Sequence, residues 1–241
     1  MLILLVSAAL AHQPFVVGDT TFSEATAFVV EEPEVSIVVY AEPTCDRPQT
    51  WLTLDGAPGD EVFVQLGIPV ADTLADWRPR LALVAPGLPA ADLGFVLPDG
   101  TGAEVLAPLA TPARFDEPFS GTSSDILVET TVTLPEGGPA WIVAYDDTGR
   151  VARQWVAVGT IERFDEEDWD RTLDLLDDVR VFHGVEGGEV PAPATCAAAE
   201  ADPAADTKDE AASSGCSTSG GAAGVGALGL SALLARARRR R

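Results

Sequence analysis

Short runs of β-branched and aromatic residues, each closed by Pro, Gly or Asp, constrain the middle of this chain more than any other feature. Seven such runs occur, at residues 35–40, 51–54, 61–66, 81–84, 126–134, 140–145 and 154–158. Turn-forming residues separate neighbouring runs, as at 55–60 and 146–149, and no helical pattern intervenes. Strands joined by short turns pair in antiparallel sheets. The sequence therefore predicts an all-β fold, an antiparallel β-sandwich of the jelly-roll type, over residues 12–184.

One amphipathic helix is predicted at the end of this domain. Asp165 is a suitable N-cap, and the acidic residues 166–168 favour the positive end of a helix dipole. Apolar side chains then recur at steps of three or four, at Trp169, Leu173, Leu176, Val179 and Phe182. Gly184 can end the helix. We expect this apolar stripe to pack on the sheets.

The amino-terminal end has the pattern of a targeting segment. Residues 1–11 are apolar and end in Ala9-Leu10-Ala11, and signal peptidase requires small residues at such positions. The run is too short to span a bilayer. Residues 1–11 are therefore predicted to be a signal peptide that is cleaved after Ala11.

The carboxyl-terminal end carries a polar stretch, Cys216, a glycine-rich apolar segment at 220–235 and five arginines in the last six positions. This order resembles the MYXO-CTERM sorting signal of myxobacterial surface proteins, although Ser217 and Thr218 stand where many members carry a second cysteine. The resemblance implies that residues 216–241 form a sorting signal for a rhomboid- or CAAX-protease-like sortase, that the tail after Cys216 is removed, and that Cys216 carries the anchor. The alternative is an apolar helix that is retained in the membrane. Either interpretation places the body of the protein outside the cytoplasmic membrane. We expect it on the outer membrane or cell surface, membrane-anchored, with the export and sorting machinery as partners.

Residues 185–215 are rich in Ala, Pro, Gly and acidic side chains and poor in large apolar ones. Such a composition cannot offset the entropy of ordering, and it predicts a disordered stalk. The chain has three cysteines. If Cys216 serves as the anchor, Cys45 and Cys196 either form a disulfide or remain two free thiols.

The net charge of the chain is −23, from 38 acidic and 15 basic residues. A surface with this charge repels phosphate backbones, so we expect no nucleic-acid partner. The charge also favours solubility, but it identifies no ligand.

Three stretches of the domain, at residues 51–66, 79–87 and 133–159, resemble the jelly-roll of bacterial pre-peptidase C-terminal domains. That resemblance implies a fold and an accessory role, not an activity. Residues 92–119 and the predicted helix depart from that family. The start of the domain, His12-Gln13-Pro14-Phe15, is also similar to uncharacterised secreted bacterial proteins with a His-x-Pro-Phe-like motif.

The two histidines, His12 and His183, suggest a metal site. Cleavage after Ala11 would make His12 the mature amino terminus, which can chelate copper through its amine and ring nitrogen, and His183 could supply a second imidazole. The arrangement resembles the histidine brace of copper-binding periplasmic sandwiches and lytic polysaccharide monooxygenases. The competing explanation of His183 is a cation that stabilises the carboxyl-terminal end of the helix.

Other candidate sites are weaker. Residues 121–125 contain serines but lack the G-x-S-x-G elbow of a nucleophile, and the acidic pairs at 116–117 and 146–147 are typical of solvated turns rather than of calcium loops. Trp77 lies among charged residues and is predicted to be loop-borne, where it could stack on a sugar. The other four tryptophans fall in apolar patterns and are assigned to the core: Trp51, Trp141, Trp155 and Trp169.

With no catalytic motif, the sequence predicts a non-enzymatic, envelope-anchored module for binding, adhesion or structural support. A copper-binding domain that uses His12 and His183 is the alternative, and copper is the cofactor that this alternative implies.

Overall fold

The computed structural model describes residues 12–17, 23–185 and 187–196. The chain divides into two units, Met1–Glu200 and Ala201–Arg241, and the fold described below belongs to the first. The predicted signal peptide with Ala11, most of the predicted stalk, and the sorting signal with Cys216 lie outside the described residues. Within the described ranges, no helix has the length and apolar character needed to cross a membrane.

Thirteen strands and one α-helix make up the regular structure of the described residues, besides two short 3₁₀ turns. The strands are β1 (Gln13–Val17), β2 (Phe28–Val30), β3 (Ile37–Ala41), β4 (Thr50–Gly56), β5 (Glu61–Pro69), β6 (Arg80–Ala85), β7 (Gly102–Val105), β8 (Ala113–Glu117), β9 (Thr122–Thr133), β10 (Gly138–Tyr145), β11 (Arg150–Val151), β12 (Gln154–Val158) and β13 (Ala194–Thr195). The helix α1 spans Glu166–Phe182. The all-β prediction with a single late helix is confirmed.

The strands form two large sheets and a two-stranded ribbon. The six-stranded sheet has the order β1-β3-β12-β5-β9-β8, the five-stranded sheet has the order β2-β4-β10-β6-β7, and β11 pairs with β13. The prediction of purely antiparallel sheets is wrong, because β1 pairs with β3 and β2 pairs with β4 in parallel. These pairs are not joined by hairpins: β2 follows β1 in the chain but belongs to the other sheet, so β3 returns beside β1 in the same direction.

The main core lies between the two large sheets. Alternate residues of each strand point inwards, as expected for a strand with a period of two. In β3, Ile37 and Val39 pack in this core, while Val38 between them packs on the opposite face of the sheet. The five-stranded sheet contributes Leu52, Leu83 and Ile142, which are fully buried. Removing this apolar surface from water supplies the main driving force for folding.

Helix α1 begins and ends where the sequence predicts. The Asp165 carboxylate accepts a hydrogen bond from the Asp168 amide at 2.8 Å, and the Asp168 carboxylate accepts one from the Asp165 amide at 3.2 Å, so a capping box closes the first turn. His183 is the C-cap residue, and Gly184 follows with φ +73°. That conformation lets the Val185 amide bond back to the Arg180 carbonyl at 3.0 Å, as in a Schellman motif.

The predicted apolar stripe of α1 is only partly the buried face. Val179 and Phe182 are buried, and so is Thr172, whereas Trp169 is 43% exposed and Leu173 is 56% exposed. The buried face is therefore rotated from the predicted stripe towards Thr172. The sequence pattern missed this rotation because a threonine in a helix is counted as polar.

Helix α1 lies over the outer face of the six-stranded sheet and is fixed at both ends. At its start, Gln13 of β1 donates to the Asp168 carboxylate at 3.0 Å and accepts from Arg171 at 2.9 Å. At its end, Arg153 donates to the carbonyls of Val181 and Phe182 at 2.9 and 3.0 Å. The helix thus forms a third layer on this side of the sandwich.

A disulfide joins Cys45 to Cys196, with their Cα atoms 5.1 Å apart. Residues 187–196 were assigned by the sequence to the stalk, but they pack on the domain. Val190 is buried, its carbonyl accepts a hydrogen bond from Thr73 at 2.8 Å, and β13 pairs with β11. The folded domain therefore extends past residue 184 to the disulfide.

Candidate functional site

A cavity of about 410 Å³ lies between α1 and the outer face of the six-stranded sheet. Its lining is mainly apolar and aromatic, and its size is that of small-molecule sites, which range from about 300 to 1,000 Å³. The strands contribute Val38, Tyr40, Gln65, Ile126 and Trp155, and the helix contributes Thr172, Leu176 and Val179.

A glycine and a register shift shape the floor of this cavity. Gly67 of β5 is paired with Trp155 of β12, and a Cβ atom at position 67 would lie 2.1 Å from the indole ring. Only glycine leaves room for the indole there. The β5–β9 register shifts between Leu66 and Gly67, so that their partners on β9 are Val128 and Ile126. Val128 packs in the main core, whereas Ile126 turns to the cavity.

His183 is held in the wall of the cavity by bonds at both ring nitrogens. Its Nδ1 lies 2.8 Å from the Val179 carbonyl, which can only accept, so Nδ1 carries the proton. Its Nε2 then accepts from the Ser124 hydroxyl at 3.0 Å, and Ser124 in turn accepts from the indole N–H of Trp155 at 3.0 Å. Burial lowers the pKa of His183 to about 4. The imidazole is therefore neutral at physiological pH, and not the helix-terminal cation that the sequence suggested.

His12 lines the same cavity, at the entry to β1. Its Nδ1 lies 2.5 Å from the Ser36 hydroxyl. Burial lowers the pKa of His12 to about 4, while the nearby Glu117 carboxylate acts in the opposite direction. The structure thus brings the two predicted histidines to one cavity, both in their neutral form.

The copper alternative needs two histidines and a mature amino terminus at His12, which lies at the start of the described residues. Within residues 12–17, 23–185 and 187–196 there is no group of three or more His, Cys, Asp or Glu side chains placed to hold a metal. Both nitrogens of His183 are engaged in hydrogen bonds, so coordination would require the Ser124 bond to break. The copper alternative stays a prediction that depends on cleavage after Ala11.

Sequence reasoning missed the contact between Ser124 and His183. Ser124 lies within the run 121–125, but its partner is 59 residues away in sequence and reaches it only because α1 crosses the sheet. Ser124 and His183 are poorly suited to nucleophilic catalysis. A general base works best with a pKa near the working pH, and the Nδ1 partner of His183 is a neutral carbonyl instead of a carboxylate. We assign the pair a structural role in shaping the cavity wall.

Trp77 lies in the loop before β6, as predicted, but the exposure expected for two tryptophans is wrong, in opposite directions. Trp77 is 1% exposed, and its indole N–H donates to the Asp146 carboxylate at 2.8 Å, so it is a core residue and offers no face to a sugar. Trp169, assigned to the core, is 43% exposed. Its ring lies 4.9 Å from that of Phe164 and 6.0 Å from that of Phe119. We call these three residues, which also line the cavity, the aromatic rim.

Asp116, which lies in β8, and Asp146, which lies in a turn, already accept hydrogen bonds from protein donors. Asp116 accepts from Arg114 at 2.9 Å and from Ser123 at 2.6 Å. Asp146 accepts from the Thr148 amide at 2.7 Å as well as from Trp77. These bonds occupy oxygens that a calcium ion would need.

Comparison with known proteins adds little to this description. No family model matches the chain, and no curated protein is significantly similar to it. Among solved structures, the chain is similar to PliG from Aeromonas hydrophila, a periplasmic lysozyme inhibitor of g-type lysozyme. The sequences are 15% identical, the likeness covers 55% of this chain and 95% of that chain, and the TM-score is 0.31. At that TM-score the likeness supports no conclusion about the fold or the function of this chain.

Proposed function

We propose that the folded domain is an exported binding module and that the cavity between α1 and the six-stranded sheet is its ligand site. The observation that carries this proposal is the cavity itself, about 410 Å³ of mainly apolar space in a small domain. Two other pockets of the described residues have volumes of about 400 and 540 Å³, so size does not single out this cavity. Its mainly apolar lining with a few buried polar groups does, because that combination is typical of ligand sites.

An unpaired polar group in the cavity wall supports the proposal. The hydroxyl of Thr172 is buried and has no hydrogen-bond partner among the described residues. A buried polar atom without a partner costs about 1–3 kcal/mol. A ligand with a hydrogen-bonding group would supply the missing partner.

The aromatic rim supplies a route of entry. Phe119 is 46% exposed and Trp169 is 43% exposed, and both line the cavity as well as facing solvent. Exposed clusters of large apolar side chains mark binding sites more often than they mark bare surface. A cavity with such an opening is suited to a small molecule, whereas an adhesive protein partner would need a flat contact surface.

The blocking experiment compares two neighbouring positions on α1. We expect Thr172→Phe to fill the cavity and to weaken binding of the neutral apolar dye N-phenylnaphthylamine by at least about tenfold, which corresponds to about 1.4 kcal/mol. Leu173→Phe enlarges the next side chain, which is 56% exposed, and should leave binding unchanged. Fluorescence titration of the purified full-length protein measures both. Equal binding by the two variants, or no saturable binding by the wild type, would refute the site.

Export is the second part of the proposal. The apolar leader ending at Ala11 and the arginine-terminated tail after Cys216 support it, and so does the Cys45–Cys196 bond, since disulfides persist in oxidising compartments. We further propose that Cys216 carries the envelope anchor.

The intact mass of the protein isolated from its native cells tests export and anchoring together. The expected species lacks residues 1–11 and the segment after Cys216, and it carries the additional mass of a lipid. Recovery of the whole chain from the cytosol, with Met1 and Arg241 both present, would contradict this part of the proposal and leave the cavity unaffected.

A further inference from the structure

The wall of the cavity carries negative charge without a compensating cation. Two carboxylates line it, Glu117 and Glu129, and no Lys or Arg side chain of the described residues does. The histidines do not offset them, because burial keeps both imidazoles neutral. Any charge that the wall presents to a ligand is therefore negative.

Glu117 is the carboxylate that faces the polar groups of the cavity. It accepts hydrogen bonds from the Phe119 amide at 2.9 Å and from the amide and hydroxyl of Ser120, both at 2.5 Å. These bonds fix the carboxylate in place and leave part of its capacity of about four lone-pair sites for a ligand. Burial raises the pKa of Tyr40 and lowers those of His12 and His183, and the Glu117 carboxylate adds a smaller upward contribution to all three, so its charge acts across the site.

Arg153, a basic side chain close to His183, is engaged elsewhere. Arg153 lies close enough to lower the pKa of His183, but its guanidinium is 2.8 Å from the Glu42 carboxylate and donates to two carbonyls at the end of α1. Arg153 does not line the cavity. It therefore offers no counter-ion for an anionic ligand.

The opening of the cavity is also suited to positive charge. The aromatic rim places the rings of Phe164 and Trp169 4.9 Å apart, with Phe119 against the same indole at 6.0 Å. The face of an aromatic ring attracts cations, and tryptophan does so most strongly. The apolar floor formed by Val38 and Ile126 offers the rest of a ligand a surface without polar partners.

We propose that the ligand of this cavity is an organic cation with an apolar tail, its ammonium group directed to Glu117 and the aromatic rim. The inference rests on the proposed function and specifies its ligand class. A fatty acid would place its carboxylate beside Glu117 with no cation to offset the repulsion. A neutral alcohol could bond to Thr172 but would gain nothing from the carboxylates.

Three probes that share one tail separate these classes: octylammonium, octanol and octanoate. Each is used to displace N-phenylnaphthylamine from the full-length protein at neutral pH, below its micelle concentration. We expect the ammonium compound to bind about tenfold or more tightly than octanol, and octanoate to bind most weakly, from the attraction between charges a few ångströms apart.

Charge-removing variants test whether the preference arises inside the cavity. Glu117→Gln should reduce the ratio between octylammonium and octanol, and Glu129→Gln, at an exposed part of the lining, should reduce it less. Glu104→Gln removes the same charge from the exposed side of β7 and should preserve the ratio. If Glu104→Gln reduced the ratio as much as the cavity variants did, the preference would come from the acidity of the whole chain, and the inference would be wrong.

The outcomes also distinguish this inference from the proposed function. Octanol binding as tightly as the ammonium compound, or octanoate binding more tightly, would overturn the cationic ligand and leave the cavity as a site for neutral or anionic molecules. Failure of the dye and of all three octyl compounds to bind would overturn the ligand site itself.

Discussion

Replacement of both disulfide cysteines, Cys45→Ala with Cys196→Ala, is expected to lower the free energy of unfolding by about 2–5 kcal/mol. The bond closes a loop with a sequence separation of 151 residues, so its loss enlarges the unfolded ensemble substantially. The same bond holds residues 187–196 on the domain, where Val190 is buried. Urea denaturation of the full-length protein should show a lower midpoint together with a steeper slope, because the unfolded chain without the bridge is less compact.

Cys216→Ala is the matched control for this experiment. It removes a cysteine that lies outside the described residues, and we expect it to leave the urea midpoint unchanged. A double variant at 45 and 196 that unfolded at the same urea concentration as the wild type would show that the bridge contributes nothing to stability. Loss of stability in Cys216→Ala would indicate that Cys216 takes part in the pairing.

Acidification from pH 7 to pH 5 is expected to lower the free energy of unfolding by about 2 kcal/mol through His183. Burial lowers the folded-state pKa of this imidazole from 6.5 to about 4, so the unfolded chain takes up the proton more readily between these values. The contribution of the neutral His183 imidazole to the free energy of unfolding is therefore complete above about pH 6.5, and it is lost as the pH falls towards 4. The difference between the unfolded and folded pKa values corresponds to about 3 kcal/mol of unfolding free energy, and about two thirds of that amount is lost by pH 5.

The neighbours of His183 also affect its pKa. Arg153 acts with burial to lower the pKa, while Glu117 and the bond to Val179 act against it, and His12 titrates in the same direction as His183. His183→Gln should therefore show a smaller loss between pH 7 and pH 5 than the wild type, though not none. Urea denaturation at the two pH values measures the difference. An identical loss in wild type and variant would show that His183 is not the group responsible.

Helix α1 was predictable because every signal for it is local. The capping box needs only Asp165 and Asp168, three residues apart, and the end of the helix needs only a glycine at 184 that can adopt positive φ. Such signals act within one or two turns of chain. They fix where a helix begins and ends, whatever it packs against.

The mixed sheets were not predictable in the same way. The strand patterns at residues 37–41 and 154–158 identify strands, but nothing in them states that β1 lies parallel to β3 while β12 lies antiparallel on its other side. Pairing between strands far apart in sequence depends on the packing of the whole sandwich. The turn signals describe hairpins, and the two parallel pairs are formed without hairpins.

The cavity could be anticipated only in part. The sequence singled out His12 and His183, and both line it, but Glu117 was interpreted as a turn residue and Thr172 was passed over. Trp77 and Trp169 were assigned wrongly because exposure was inferred from flanking charges and from helical spacing. Whether a side chain is buried depends on which surface its strand, helix or loop faces. Contacts between residues far apart in sequence decide this, such as the contact of Trp77 with Asp146.

The position of the disulfide has a mechanical consequence. If the chain beyond residue 196 is a tether, tension applied to it reaches the domain at Cys196 and is shared through the sulfur atoms with Cys45, which precedes β4. Without the bridge, the same pull would first peel off β13 and then the end of α1. With the bridge, such tension would pass to Cys45, and residues 187–196 and the end of α1 would stay on the domain.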